Sequence, residues 1–444
     1  MTAKAYFLET IPQDLTDLRS DTALDTAQTL IKLVNETTQQ LDIMAMYWEL
    51  LPSPENKLVF NEEQLDQLGA NYGAMLYQAL DNAAKRGVKI RIVQNGDWYS
   101  GEHPELDALA SENPDNIEVF VVKMTRWYGT GVMHQKVWIF DQEIAYLGST
   151  NMDWKALTQV KELGIIIDNE PTLIQDLSNY FDTWIDLSQI ETPETITFFD
   201  ERFQVERQVP AWSSDIDATL SIPSPLKQAS SFGIESPADI NLNQERGEAF
   251  ITGAPIELCT GGRSFDGDGI LYTMQDAQEH ISLSIMDFAP TSFYNKSNVW
   301  WGDLFNGIIQ AVTTKNIHVR LLISYWASSR PIIDSYLRSL ETTAKASKAD
   351  LYATSGLLEI KRFIIPGWNR TSGLQAKFPP FSRVNHTKYI VTDRRINVGT
   401  SNLTWDYFYS TAGTSFNSNH AGLVTDLQAI FDRDWQSQYA RDFV

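Results

Sequence analysis

Two stretches of this chain carry the same chemically useful spacing. His134, Lys136 and Asp141 stand as H-x-K-x4-D, and His386, Lys388 and Asp393 repeat the pattern. Each copy is followed by a small-residue turn that ends in asparagine, Gly148-Ser149-Thr150-Asn151 and Gly399-Thr400-Ser401-Asn402. The apolar residues around each motif predict a β-strand, on which residues i and i+2 share a face. His134 and Lys136 therefore project together, as do His386 and Lys388, and the asparagine turn can return beside them. One copy offers a nitrogen base or nucleophile, a fixed cation and an amide. Two copies related by a pseudo-twofold would place six such groups around one small anion.

Phosphate suits that arrangement, because two ammonium groups neutralise it and two amides donate hydrogen bonds. One histidine, neutral, attacks phosphorus while the other, protonated, gives a proton to the departing oxygen. Water activated by the second histidine then cleaves the phospho-histidine. The lysines supply the charge stabilisation that a metal ion supplies elsewhere, so no metal and no cofactor is expected. A lone histidine on a strand is ordinarily structural; the matched Lys and Asn partners in both copies reverse that reading. Asp141 and Asp393, seven residues along, are expected to face away and anchor a turn or ion pair.

The remaining candidates read as structural. Met133, Trp138 and Tyr389 are expected to pack, as are Tyr47 and Trp48 in preference to stacking on a base. His103, His280, His318 and His420 have no repeated partner and default to surface or structural roles. Asp266-Gly267-Asp268-Gly269 resembles a calcium loop but lacks the downstream glutamate, and a turn is expected there.

At 444 residues the chain is long enough for two domains, each with a core of its own. A net charge of −22 argues against a protein that coats duplex nucleic acid, and leaves any positive field to a few residues, Lys136 and Lys388 first. No apolar run is long enough to span a membrane. The single cysteine, Cys259, cannot form an internal disulfide. With an N-terminus that lacks an apolar leader, it predicts a cytoplasmic or otherwise soluble protein, lysosomal or secreted only if the chain is a processed form.

The duplication extends beyond the motifs. Leu41 to Trp48 and Ile281 to Phe288 alternate as strands. Lys85 to Val93 and Lys315 to Ile323 each pass from a basic turn into a β-rich run, and third strands follow at Ile117 to Val122 and Leu358 to Ile365. Each half closes with an amphipathic helix, in which Leu173, Asp176, Leu177, Phe181, Asp182 and Trp184 match Leu423, Asp426, Leu427, Phe431, Asp432 and Trp435. Alternating strands and helices predict an α/β sandwich in each half. The expected division is a first lobe over 1–188, an irregular Pro-rich connection over 189–254 and a second lobe over 255–444. Both motifs lie in one chain, so a monomer suffices for a complete site and the oligomeric state stays open.

On these motifs the chain resembles the phospholipase D superfamily, whose signature is the paired HxKx4D with a following G-S-x-N. Within it the resemblance is to the branch of animal lysosomal phospholipase-D-like 5′ exonucleases and their poxvirus relatives. It is carried by Leu8-Glu9-Thr10-Ile11-Pro12, Leu41 to Trp48, Gly148 to Trp154, Leu157 to Gly164, Val319 to Ser324, Val384-Asn385-His386, Gly399 to Asn402 and Thr411 to Ser415. The resemblance implies two pseudo-twofold-related α/β/α lobes with one active site between them. It makes His134 the nucleophile and His386 the acid, and gives Lys136, Lys388, Asn151 and Asn402 the phosphate. Glu162 falls where relatives carry a residue that orients a catalytic histidine across the lobes; the alternative is an ion pair with Lys161.

The chain also departs from that branch. It has no paired cysteines and no evident anchor, and Asp393 stands where those members commonly have Glu. Gly413 occupies the repeat position of Glu162, leaving Thr414 or Ser415 to orient His134. The leading expectation is a phosphodiesterase that trims single-stranded DNA or RNA from a 5′ end. The alternative is a phospholipase D or transphosphatidylase on glycerophospholipids, with Trp300-Trp301 and Phe293-Tyr294 as an apolar rim. A non-catalytic scaffold is disfavoured because both histidines and both lysines are intact.

Overall fold

The structure is a computed structural model that describes residues 2–97, 104–227, 230–295, 298–347, 356–370 and 376–443. Two large mixed sheets dominate it, and they repeat one strand order. The first runs Ala23–Asp25, Lys4–Thr10, Glu162–Asp168, Ile144–Gly148, Val137–Phe140, Gln40–Ala45, Lys89–Asn95 and Ile117–Val122. The second runs Ala238–Leu242, Glu245–Ala254, Gly413–Ser418, Ile396–Gly399, Lys388–Thr392, His280–Ile285, His318–Ser324, Leu358–Phe363 and Ala440–Asp442. In each, the strand of the H-x-K motif lies at the centre and is antiparallel to both neighbours. Even the register repeats, with Met44 opposite Val137 and Ser284 opposite Tyr389. The duplicated α/β design expected from the sequence is present.

The periodic helices cover these sheets for the reason their patterns suggest. Thr26–Glu36 and Ala70–Lys85 bury Leu30, Leu33, Leu76 and Leu80 against one face of the first sheet. Asp266–Asp276, Asp303–Thr313 and Pro331–Ser347 cover the corresponding face of the second. The closing helices, Pro171–Ser188 and Ala421–Gln436, lie on the inner faces, where Leu177, Phe181, Trp184, Leu427 and Phe431 join a single core with residues of both sheets. Here the structure departs from the expectation of two separate cores. Only the outer cores are private; the inner one is common, because each closing helix also touches the other lobe. Charge reinforces it: Arg263 of the second lobe holds Asp176 of the first closing helix at 3.0 Å, and Arg433 of the second closing helix holds Glu9 at 2.7 Å.

The segment 189–254, expected to be an irregular connection, is partly sheet. Thr195–Asp200 and Val205–Pro210 form a hairpin, and Ala238–Leu242 pairs with Glu245–Ala254. That last strand belongs to the second sheet, beside Gly413–Ser418, so the second lobe begins before residue 255. Gly247 and Gly253 break the strand's side-chain pattern, which is why it does not read as β from sequence. The Asp266-Gly267-Asp268-Gly269 segment is neither a calcium loop nor a turn but the start of the Asp266–Asp276 helix. Acidic residues are favoured there by the helix dipole, and Asp266 accepts a hydrogen bond of 2.6 Å from the Thr252 hydroxyl.

Candidate active site

The two motif strands begin at the seam between the sheets, directly after the histidines, and backbone contacts across it set the site. The N–H of His134 donates to the Ala412 carbonyl at 3.2 Å, and the N–H of His386 donates to the Lys161 carbonyl at 2.8 Å. Each lysine is tied to its own motif, with Lys136 Nζ donating to the His134 carbonyl at 2.9 Å and Lys388 Nζ to the His386 carbonyl at 2.7 Å. Behind the first motif the Gly148 turn is tightly packed: a Cβ on Gly148 would sit 2.5 Å from the Gly164 Cα and from the Tyr146 hydroxyl. Only a residue without a side chain fits there.

Asp141 and Asp393 stand at the far ends of their strands and anchor turns. Asp141 accepts from the N–H groups of Thr38, Gln39 and Gln40 at 2.8, 2.7 and 2.9 Å. Asp393 does the same for Gln278, Glu279 and His280 at 3.1, 3.0 and 3.2 Å. Each carboxylate thus pins the loop that leads into the neighbouring strand. These backbone donors hold both carboxyls below their ordinary range against the opposing effect of burial.

The electrostatics of the centre follow from crowding like charges where water is scarce. Burial first, then Lys136, Lys388 and His386, push the His134 imidazole well below its ordinary pKa. Burial, Lys388 and Lys136 do the same to His386. Burial and Lys388 lower Lys136, and burial lowers Lys388 to about 8 despite Glu162 and Asp287. The four motif groups are therefore within electrostatic reach of one another, and their like charges favour an anion between them. Asn151 and Asn402, which end the two turns, each have a side-chain oxygen buried and unpaired. The Asn402 amide donates to the Tyr407 hydroxyl at 3.1 Å.

The pseudo-symmetry fails at the contact that fixes a histidine ring. Glu162, fully buried in the first lobe, meets Nδ1 of His386 in the second with both carboxylate oxygens at 2.9 Å. Burial drives this carboxyl upward against the pull of Lys388 and Lys136. Its alternative partner, Lys161, is engaged instead with Glu9 at 3.0 Å and Asp434 at 2.8 Å. On the other side stands Gly413, where a Cβ would come within 2.1 Å of the Ser401 hydroxyl. Nδ1 of His134 is buried without a hydrogen-bond partner. Neither Thr414 nor Ser415 supplies one: the Thr414 hydroxyl donates to the Thr252 carbonyl at 2.6 Å, and Ser415 lies against the Thr252 and Asp266 pair. The orienting role expected of them is not seen, because their strand directs both into the second lobe.

Other sequence candidates fall where packing was expected. Met133, Trp138, Tyr389 and Trp48 are buried, and Tyr47 donates to Asp153 at 2.8 Å. His280 bonds Gln428 at 2.9 Å, His318 pairs with Glu359 at 2.6 Å, and His420 caps the last long helix. His103 lies outside the described residues. Two site residues were missed. Tyr407 sets its ring edge-on to His134 at 5.0 Å. Asp287, at the repeat position of Tyr47, is almost buried and is raised to about 6 by burial against Lys388, Arg330 and Arg362. The mismatch of an acid with a tyrosine in otherwise matching strands was the available signal. Among the described residues no group of three or more His, Cys, Asp or Glu is arranged to hold a metal ion, and no helix is long and apolar enough to cross a membrane.

Comparison with known proteins agrees with this duplicated architecture. A family model described as "Cardiolipin synthase, PLD-like domain" matches residues 30–185, and one described as "PLD3/4, PLD-like domain" matches residues 226–367. The chain is 32% identical over 446 residues to "5'-3' exonuclease PLD3" of Xenopus tropicalis, covering 98% of this chain and 80% of that one. The human protein of the same name is 32% identical over 447 residues, covering 99% and 80%. "Phospholipase D Z" of Dictyostelium discoideum is 30% identical over 433 residues, covering 97% and 89%. In fold the chain resembles a solved phosphatidylserine synthase of Haemophilus influenzae, with a TM-score of 0.55 at 12% identity over 94% of this chain and 85% of that one. The chain belongs to the phospholipase D superfamily, in its PLD3-like branch.

Proposed function

We propose that the protein is a metal-independent phosphodiesterase that removes nucleotides from the 5′ end of single-stranded DNA or RNA through a phospho-histidine intermediate. The observation that carries this reading is the contact of Glu162 with His386 across the seam, beside two buried lysines whose like charges repel. An incoming phosphodiester relieves the repulsion between Lys136 and Lys388, and its non-bridging oxygens take the ammonium and amide donors. One imidazole Nε2 forms a bond to phosphorus while the P–O bond to the leaving alkoxide breaks, and the other histidine protonates that oxygen. Water, losing a proton to the second histidine, then attacks the phospho-histidine and frees the first.

The asymmetry of the histidines favours His386 as the attacker and His134 as the acid, the reverse of the order implied by resemblance. Glu162 on Nδ1 leaves the lone pair on Nε2, and compensates the positive charge the ring gains when it is phosphorylated. His134 has no carboxylate to play that part. The names of the exonuclease relatives support nucleic acid as substrate, and those of the phospholipase D relatives support the lipid alternative.

The test is a 3′-labelled single-stranded oligonucleotide with a free 5′-hydroxyl, incubated with the protein in EDTA between about pH 4 and 8. A ladder receding from the 5′ end, abolished by His134→Ala and by His386→Ala, is the expected result. An intact oligonucleotide, with headgroup release from phosphatidylcholine vesicles by the same two histidines, would move the substrate to lipid.

A further inference from the structure

A cleft of about 360 Å³ opens beside the centre and takes no part in the phosphoryl chemistry described above. Four aromatic residues line it, Tyr128, Tyr294, Trp405 and Tyr409, together with hydrogen-bonding side chains that include Thr130 and Gln208. No aliphatic side chain and no phenylalanine is among its described lining residues. Building on the nuclease reading, we propose that this cleft is a nucleoside subsite, which stacks the base of the nucleotide adjoining the scissile phosphate.

Three observations carry the assignment. The first is continuity with the chemistry. The Tyr407 ring lies 6.4 Å from Tyr294 on one side and 5.0 Å from His134 on the other, and its hydroxyl accepts the Asn402 amide. Thr130 is four residues before His134, and Ser410, also in the lining, is two before Ala412, whose carbonyl holds the His134 N–H. Four extended residues reach at most about 14 Å, so a ligand in the cleft is close to a phosphate at the histidines.

The second observation is the chemistry of the wall. An acyl chain is received by aliphatic surface, whereas a base asks for a ring to stack on and for donors and acceptors at its edge. Tyr294 is 47% exposed with the Arg330 guanidinium over its ring at 5.2 Å, so stacking uses the face away from Arg330 or displaces it. The third is an unspent donor. Arg207 lines the cleft behind the Tyr409 and Trp405 rings, at 5.0 and 5.8 Å, fixed by Asp200 at 2.6 Å and Asp215 at 2.8 Å; its buried Nη2 has no partner and meets a base edge only if a ring shifts. The hairpin that carries Arg207 and Gln208 comes from the segment between the lobes, so that segment contributes to the site rather than merely joining its halves.

The subsite can be tested without turnover, which separates it from the exonuclease reading. Calorimetry would compare binding of a deoxynucleoside 3′-monophosphate with inorganic phosphate, on the parent, Tyr294→Ala and Tyr294→Phe. Stacking of one base is worth about 1–3 kcal/mol, so the nucleotide should bind the parent roughly 5- to 150-fold more tightly than phosphate. Tyr294→Ala should lose most of that advantage with phosphate affinity unchanged, and Tyr294→Phe should keep it. Equal affinity for nucleotide and phosphate in the parent, or an advantage that survives Tyr294→Ala, overturns the subsite even if oligonucleotides are cleaved. A Tyr294-dependent advantage upholds it even if they are not.

Discussion

Replacing Lys388 by methionine should abolish turnover and yet make the fold more stable. The side chain is buried, and burial lowers its ammonium from 10.5 to about 8, against the pull of Glu162 and Asp287. At about 1.4 kcal/mol per tenfold, keeping that group charged near pH 7 costs the native state roughly 3 kcal/mol. Its removal also relieves Lys136, His134 and His386, each of which Lys388 depresses, and withdraws the cation that most lowers Glu162 and Asp287, two effects of opposite sign that offset. Against this, the hydrogen bond to the His386 carbonyl is lost, a cost of about 1–2 kcal/mol. The expected balance is a gain of about 1–2 kcal/mol near neutral pH.

The pH dependence follows from the direction of the shift. A lysine lowered in the native state leaves the unfolded chain holding the extra proton between about pH 8 and 10.5, so the parent gains stability as pH rises through that window. Below it the cost is fully present. The advantage of Lys388→Met should therefore shrink by roughly 2 kcal/mol between about pH 7 and 9.5. Urea titrations of both proteins at the two pH values measure this, with oligonucleotide hydrolysis followed in parallel. A variant less stable than the parent at neutral pH, or a difference that does not change with pH, would refute the argument that phosphate recognition is built here from mutually repelling buried charges.

Other expectations bear on the roles of individual groups. His134→Ala and His386→Ala should each lower kcat by at least about a thousandfold while circular dichroism and Tm stay near the parent's. Glu162→Gln should lower kcat about 10- to 150-fold, the worth of a hydrogen bond to a charged group. Because both imidazoles lie below their ordinary value, the alkaline limb of kcat/KM should fall below about pH 6.5 in the parent, and Glu162→Gln should carry the limb of His386 further toward acid. A profile flat across that range would remove the acid–base assignment. Asp141→Ala should cost about 1–3 kcal/mol in urea titration through its unpaired backbone donors, with kcat unchanged in the folded fraction. That stabilisation should be present above the usual carboxylate pKa and lost as pH falls through the lowered native value.

Much of the site was legible in the chain because its logic is local. A strand sends residues i and i+2 to one face, so H-x-K predicted each histidine beside its lysine and two copies predicted one centre, although the regular strands begin only at Val137 and Lys388. The i+7 spacing put Asp141 and Asp393 at the far ends of those strands, where they do anchor turns. Periodicity likewise marked the closing helices and their buried faces. What the tertiary structure alone decided is everything that depends on how the two sheets meet. Resemblance implied the cross-lobe reach of Glu162 and the repeat alignment gave Gly413 as its counterpart, but only the seam decides that Glu162 meets His386, 224 residues away, rather than Lys161, and that Thr414 turns to Thr252 instead of His134. The shared inner core, the entry of Glu245–Ala254 into the second sheet and the aromatic cleft beside Tyr407 are of the same kind. Side-chain spacing encodes which face a residue occupies, whereas contacts between elements far apart in sequence arise from the summed packing of both lobes, which no local pattern carries.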